Sequence, residues 1–557
     1  MTLTHDEVES LLTAPGRLFE MTEAEAGGHR IRTWKNAPAH FRALLTASRR
    51  HGERVFLRYE DERVTFEDHF RRAAALAGRL AGEYGVAKGD RVAIAMRNYP
   101  EWVVAFSAIL AAGAVAVPLN AWWTRRELAF GLADSGTAVL IADGERARLM
   151  AGADVRIIVT RPDGSPPPGA AVLADLIGEP TAEVALPEVD LTPDDPATIF
   201  YTSGTTGRPK GALGSQRNLG QAPLTVGYSL SRGAAMRGHD PRRAGRRRVT
   251  LLTVPLFHVT GCFGTMLSAM FGGTTVVLMY KWDAGQALRL IERERITGVT
   301  GTPTNAWQLM AHPGFGDHDV ASLGTLFYGG APAPPRLLTR IRDRLPGRAP
   351  SNVYGMTETS ALIIDNGGGA YSDRPDSVGR PVPVVDVRII APGGANARPG
   401  EVGELCVRGA PVVGGYWNRP EATAESFAGG WFRTGDLARV GEDGLVYIVD
   451  RVKDMVIRGG ENVYCAEVEA ALFEHPAVRD AAVIGVPHDE LGEEVGAVIR
   501  TAPGAPLAAG DLTGFLRGRI APFKIPAHYW FRQGELPRNP GGKIVKDLLR
   551  REVLGAT

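Results

Sequence analysis

ATIFYTSGTTGRPKGALG, residues 197–214, opens on an apolar run and then breaks into glycines and hydroxyls ahead of a lysine. The run ATIF predicts a strand that ends where the loop begins. Gly204 and Gly207 allow the backbone to turn so that several N–H groups converge on one anion. Thr202, Ser203, Thr205 and Thr206 add hydroxyl donors, and Lys210 adds a positive charge. Such a cradle suits a triphosphate. It is not the common P-loop, because the spacing is G-x-x-G-x-x-K and Gly211 follows the lysine where Ser or Thr is needed. Taken alone, the stretch also fits a plain Gly/Thr surface loop.

Outward from this loop, helical patterns alternate with short β-branched runs from about residue 40 to 450. RVAIAM (91–96), TAVLIA (137–142) and VRIIVT (155–160) are examples. Alternation of this kind predicts an α/β fold, with parallel sheets covered by helices. RPDGSPPPGAA (161–171) reads as a surface loop. From Arg380 to Gly409 the texture changes to short strands with glycine turns, VDVRIIAPGG and GELCVRG, which predicts a small antiparallel barrel-like part. Past Arg451, about a hundred residues carry patterns of their own, AEVEAALFEH and AAVIGVP, and suit a small α+β domain. The expected division is an N-terminal extension (1–39), a large domain (40–450), a hinge (451–453) and a small C-terminal domain (454–557).

The 557 residues hold 63 Lys plus Arg against 62 Asp plus Glu, a net charge of +1 that provides no field for gripping nucleic acid. At 44% hydrophobic content the chain can build a core, which excludes global disorder. Cys262, Cys406 and Cys465 are too scattered for a disulfide framework or a paired-cysteine zinc site. A reducing, cytoplasmic setting is the simplest expectation, since the acidic start MTLTHDEVESLL is unlike a secretory signal. Two uncharged stretches need weighing as membrane spans. Trp102–Trp123 is interrupted by Gly113, Pro118 and Asn120, and reads as a buried helix feeding a strand AVAVPL. Thr250–Tyr280 reads as strand (TLLTVPL), loop, apolar helix, glycine turn and strand (TTVVLMY). Neither is one continuous element, so no integral membrane segment is expected.

The chain also carries PLFHVTG (255–261), YGGAPAP (328–334), VYGMTET (353–359), WFRTGDLA (431–438), VDRVKDMVIRGGENVY (449–464) and PRNPGGKI (537–544). With YTSGTTGRPKG (201–211), this order resembles the adenylate-forming superfamily, in its acyl-CoA synthetase branch, over about residues 40 to 550. The resemblance implies ATP and Mg²⁺, with coenzyme A as co-substrate. It also implies a site that neutralises charge rather than a protein nucleophile, and no G-x-S-x-G elbow is present.

What it implies for single residues is specific. Glu358, with Thr202, would hold Mg²⁺, and Thr357 would donate to the α-phosphate. Tyr354, with Gly355 and Met356 after it, would face the adenine, and Gly330, Ala331 and Pro332 would pass under its other face. Asp436 and Arg451 would hold the ribose. Lys543 would be the catalytic lysine, inserted between the carboxylate and the α-phosphate. The small domain would then be mobile about Lys453 and bring Gly459, Gly460 and Glu461 to a coenzyme A tunnel. Pro540 and Cys465 depart from the usual pattern without removing a functional group.

His258 falls where the family gates its carboxylate pocket, and Gly261, Cys262 and Gly264 are expected to line that pocket. Amino-acid-activating relatives usually carry an aspartate in this segment. None is present, and an unpaired buried ammonium would cost on the order of several kcal/mol. An uncharged fatty, aryl or other hydrophobic acid is therefore expected. Free coenzyme A is the expected acceptor and a carrier protein the alternative; a homodimer is compatible with the reading. RGHDPRRAGRRR (237–248) is either a solvated run or a contact for the coenzyme A phosphate or an acidic carrier. A luciferase-type oxygenase and an inactive nucleotide-binding scaffold are the remaining rivals.

Overall fold

A computed structural model describes residues 3–179, 184–202, 209–238, 248–331, 333, 335–348, 350–459, 461–502, 507–539 and 543–555. The runs read as strands pair into two large sheets. One has seven strands in the order Lys210–Ser215, Pro196–Thr202, Val115–Pro118, Arg91–Ala95, Val139–Asp143, Arg156–Thr160, Ala171–Val172. Its pairings are parallel except at the Lys210–Ser215 edge. The other has nine strands and is parallel from Val55–Tyr59 across to Ser351–Tyr354, with antiparallel edges. Buried on both faces, such strands need continuous apolar residues, as TVVL (275–278) and VLIAD (139–143) supply.

The uncharged stretch beginning at Trp102 is a buried helix, Pro100–Ala111, followed by the strand Val115–Pro118. Trp102 stacks on Phe106 at 5.2 Å, inside a core shared with Phe41, Phe56 and Phe66. Each such side chain contributes roughly 2–3 kcal/mol by leaving water. Among the described residues, no helix is long and apolar enough to cross a membrane.

The second uncharged stretch differs from expectation. Its first strand is short, Val249–Leu252, and Thr260–Leu267 winds as a π-helix before the short α-helix Ser268–Gly272. The first 39 residues are no loose extension. Helix His5–Thr13 and the hairpin Met21–Ala26/His29–Trp34 pack on the body, where Val8, Leu12, Phe19 and Trp34 share a core with Leu224 and Tyr228.

The segment beyond residue 380 forms the expected antiparallel sheet: Val385–Ile390 pairs Gly403–Gly409, which pairs Trp431–Val440. Val446–Arg451 joins its far edge. After that edge, five strands and the helix Cys465–Phe473 enclose a separate core around Val468, Val483 and Ile499. The alternating-layer and α+β expectations therefore hold for the fold class.

Candidate active site

Parallel strands present their carboxyl ends to one side, where open α/β sheets usually hold ligands. Thr202 ends one strand, Tyr354 ends another, and Gly330 and Ala331 follow the strand Thr325–Gly329. Gly330 has φ +81° and open space where a Cβ would stand, so a flat group can approach this backbone. Thr202 and Lys210 are register partners across the loop, and the Thr202 hydroxyl donates to the Lys210 carbonyl at 3.4 Å. Ser203, Gly204, Thr205, Thr206 and Gly207 lie outside the described residues, as do Pro332, Gly460, Pro540 and most of the arginine run.

Glu358 sits in a tight turn, Thr357–Thr359, whose backbone is demanding. A Cβ on Gly355 would stand 1.4 Å from the Ala361 carbonyl oxygen, so no other residue fits there. Ser360 and Ala361 both hold positive φ, 52° and 84°, conformations that persist where surroundings over-determine them. The Val413 N–H fixes the turn by donating to the Glu358 carbonyl at 2.9 Å. The Tyr416 hydroxyl donates to Glu358 Oε1 at 2.9 Å, and the Lys210 ammonium lies 5.3 Å from the centre of the Tyr416 ring. Burial raises the Glu358 carboxyl above its ordinary range, against the Tyr416 bond and the charges of Arg451 and Lys543.

Asp436 and Arg451 are register partners on neighbouring strands, with Arg451 Nε 3.2 Å from Asp436 Oδ1. The Tyr354 hydroxyl donates to Asp436 Oδ2 at 2.6 Å. Lys543 comes from the far end of the chain. Its N–H donates to Asn539 Oδ1 at 3.0 Å, and the Asn539 N–H donates back to the Lys543 carbonyl at 2.8 Å. Burial first, then Arg451, pushes its ammonium down to about 8, while Asp436, Glu358 and Asp454 pull the other way. Four residues scattered over 186 positions, from Glu358 to Lys543, thus feel one another's charge.

His258 lies beyond the strand Val249–Leu252, one residue before Val259, which caps the π-helix. Its Nε2 is shut off from solvent without a hydrogen-bond partner, and burial pushes the imidazole down to about 4, so it is neutral at pH 7. The three residues expected beside it do not all face one way. Cys262 is fully buried in the core, and a Cβ on Gly261 would meet the Pro255 carbonyl at 2.3 Å, so neither faces a pocket. The i→i+5 winding shifts which residues share a face, and a 3.6-residue period does not anticipate that. Gly264 is half-exposed, with no atom closer than the Ala361 Cβ at 4.0 Å from where its own Cβ would stand. Lys453 lies exposed in the turn after Arg451. Gly459, with φ +58°, turns the hairpin that pairs Arg458 with Glu461, and both Gly459 and Glu461 are exposed.

A sequence profile of AMP-binding enzymes matches residues 44–417, and a second, of the AMP-binding enzyme C-terminal domain, matches 467–543. The chain belongs to the AMP-binding enzyme family. Within that family, it stands in the acyl-CoA synthetase branch of the adenylate-forming superfamily. Feruloyl-CoA synthase from an Amycolatopsis species is 39% identical over 501 residues, 89% of this chain and 95% of the relative. A 2-succinylbenzoate–CoA ligase from Geobacillus kaustophilus is 35% identical, over 92% and 96%. The solved o-succinylbenzoate CoA synthetase from Bacillus subtilis, in complex with its acyl-adenylate intermediate, is similar at TM-score 0.79 and 31% identity, over 91% of this chain and 97% of that one.

This AMP-binding enzyme uses residues that the motifs did not single out. Tyr416 bridges Lys210 and Glu358 because the segment Val412–Trp417 runs between their two elements. The Trp417 N–H donates to the Gly211 carbonyl at 2.8 Å, and the Leu213 N–H to the Gly415 carbonyl at 2.9 Å. Asp134 fixes the end of the strand Pro196–Thr202: the Tyr201 hydroxyl donates to its Oδ2 at 2.8 Å and Trp417 Nε1 to its carbonyl at 3.1 Å. Neither residue carries a sequence signal beyond its type. Their placement comes from tertiary contacts alone.

Proposed function

We propose that the chain is an ATP-dependent acyl-CoA synthetase for a fatty, aryl or otherwise hydrophobic carboxylic acid, acting through an acyl-adenylate. The observation that carries this reading is the cluster of Glu358, bonded by Tyr416, and Asp436, 3.2 Å from Arg451 Nε, whose charges act on Lys543 from the C-terminal segment. In the first step a carboxylate oxygen bonds to the α-phosphorus, and the bond to pyrophosphate breaks with its electron pair leaving on pyrophosphate. Two anions must meet, so the Lys543 ammonium between them offsets the charge that builds up. Asp436 and Arg451 would hold the ribose, Gly330 and Tyr354 the adenine, and Thr357 an α-phosphate oxygen.

Glu358 and Thr202 fit a role beside Mg²⁺. Its carboxylate is buried, with Oε1 fixed by Tyr416, and burial alone disfavours its charge, as befits a group awaiting a cation. The bound ion would supply charge neutralisation at the phosphates. In the second step we place the hinge at 451–453, between units 40–450 and 454–557, with Lys543 withdrawing as Gly459, Gly460 and Glu461 approach. The coenzyme A sulfur then bonds to the acyl carbon, and AMP leaves with the electron pair of the broken C–O bond.

The neutral His258 ring and the apolar residues after it support an uncharged acyl tail, and so does the name of the feruloyl-CoA relative. The test is release of pyrophosphate across a panel of hydroxycinnamic, benzoic, fatty and amino acids, using acids labelled with ¹⁸O. One label is expected in AMP, with turnover for hydrophobic acids and none for amino acids. Absence of label in AMP overturns the reading. Omitting coenzyme A while supplying a purified carrier protein separates the two acceptors.

A further inference from the structure

Tyr416 reaches Glu358 from a segment that is extended rather than helical. Residues 414–417 run antiparallel beside the strand Lys210–Ser215: the Leu213 N–H donates to the Gly415 carbonyl at 2.9 Å, the Trp417 N–H donates to the Gly211 carbonyl at 2.8 Å, and Ala212 bridges Tyr416. In an extended chain, neighbouring side chains point to opposite faces. Tyr416 lies beside the Lys210 ammonium and meets Glu358 Oε1 at 2.9 Å, while Trp417 turns to the far face. There a Cβ on Gly211 would stand 3.6 Å from the Trp417 Cβ and 3.5 Å from the Tyr201 ring, so both aromatic residues pack over this glycine.

Asp134, next to last in the helix Arg125–Ser135, stands on that far face with its side chain 8% exposed. Each of its carboxylate oxygens holds a different element. Oδ2 accepts the Tyr201 hydroxyl at 2.8 Å, from the strand Pro196–Thr202, and Oδ1 accepts from the Arg419 guanidinium. Its main-chain carbonyl accepts Trp417 Nε1 at 3.1 Å. Arg419 is tied back to Tyr416 through Thr423, whose hydroxyl donates to the Arg419 carbonyl at 2.8 Å and accepts the Tyr416 N–H at 2.9 Å. A chain of direct bonds thus runs from Asp134 through Arg419, Thr423 and Tyr416 to Glu358. Its first link is charge-assisted and nearly shut off from water, the setting in which such bonds are strong.

We propose that Asp134 is a positioning residue for adenylate formation. From the opposite face, it holds the Tyr416 hydroxyl in line with Glu358 Oε1, and so sets how firmly MgATP is bound. Asp134 does this without touching the carboxylate, through the anchorage of the segment that carries Tyr416. With Oε1 held, the Glu358 side chain keeps one orientation, and less freedom remains to be lost when the nucleotide and its cation arrive. With the anchor loosened, that ordering falls to the binding step.

The inference rests on the role proposed for Glu358, and the experiment separates the two. Calorimetric binding of MgATP without acid, and single-turnover release of pyrophosphate, are measured for the wild type, Asp134→Asn, Arg419→Met, Tyr416→Phe, Glu358→Gln and the double variant D134N/Y416F. Asp134→Asn keeps an acceptor for Tyr201 but gives up the charge that holds Arg419. It is expected to weaken MgATP binding and to slow adenylate formation about threefold each, at the low end for residues in one hydrogen-bonded network. In D134N/Y416F the loss should equal that of Tyr416→Phe alone, because the bond through which Asp134 acts is already gone. A general structural defect would multiply with Tyr416→Phe instead, and that result overturns the role of Asp134. Arg419→Met cuts the same chain from a partly exposed side chain, and is expected to show the same losses even if Asp134→Asn folds poorly. No loss in either variant also overturns the role. Unchanged MgATP binding and adenylate formation in Glu358→Gln overturns the reading beneath it instead.

Discussion

The side proposed for the nucleotide and the side proposed for the acyl group are built from opposite materials. On the first, Glu358, Asp436, Arg451 and Lys543 carry ionisable groups, and Glu358, Asp436 and Arg451 are each bonded by a neighbour: Tyr416, Tyr354 or one another. On the acyl side, His258 is neutral with an unpartnered nitrogen, and a π-helix of small and apolar residues follows it. Chemistry common to every substrate calls for fixed charges. Discrimination between substrates calls for a surface whose shape can change while the charges stay put.

The contrast breaks first at Lys543. Replacement by alanine is expected to cut adenylate formation about 10²–10³-fold, the usual scale for removing one preorganised electrostatic group. The panel of accepted acids should keep its ranking, which pyrophosphate release across the panel checks. Glu358→Gln should cost about 10²-fold with a raised Mg²⁺ requirement. Tyr416→Phe removes only the hydrogen bond to that carboxylate and should cost roughly 2–13-fold, since a net hydrogen bond is typically worth about 0.5–1.5 kcal/mol. A loss as large as that of Glu358→Gln would mean that Tyr416 touches the reacting groups itself.

On the opposite side, His258→Ala should reorder preferences among acids by about 10–200-fold, the range for apolar pocket contacts, with the KM for ATP unchanged. The smallest expected effect is a pH limb. Burial and Arg451 carry the Lys543 ammonium down to about 8, so protonated lysine is lost as pH rises through that value. The kcat/KM for ATP should then fall roughly twofold between pH 7 and 8. Bound phosphates hold the proton on, so kcat should stay flat to higher pH. A Lys543→Arg variant, still cationic, should lose the limb.

Legibility divided along the same line. The residues assigned to the nucleotide stood out because each sits in a run of polar and glycine residues at fixed spacing, and the structure shows why spacing matters: Gly355 alone fits beneath the Ala361 carbonyl. The parallel sheets were legible from β-branched runs such as VRIIVT. Tyr416 and Asp134 were not, because each bonds a partner that only folding brings near. Cys262 and Gly261 instead pack into the interior. The sequence TGCFGTML carries no sign that its helix winds i→i+5, and that winding sets which of its faces turn inward.

The N-terminal helix and hairpin carry a practical consequence. Phe19, Trp34 and Tyr228 stack within 5.3–5.8 Å of one another, and Trp34 Nε1 donates to Thr225 at 3.0 Å. A shortened chain beginning near residue 44, where the family profile begins, would strip a wall from this aromatic nest. Leu224 and Tyr228 would then lie bare on the long helix Gln216–Met236. Such a truncation would present a sticky apolar face to other copies of itself before it lost any group that handles the nucleotide.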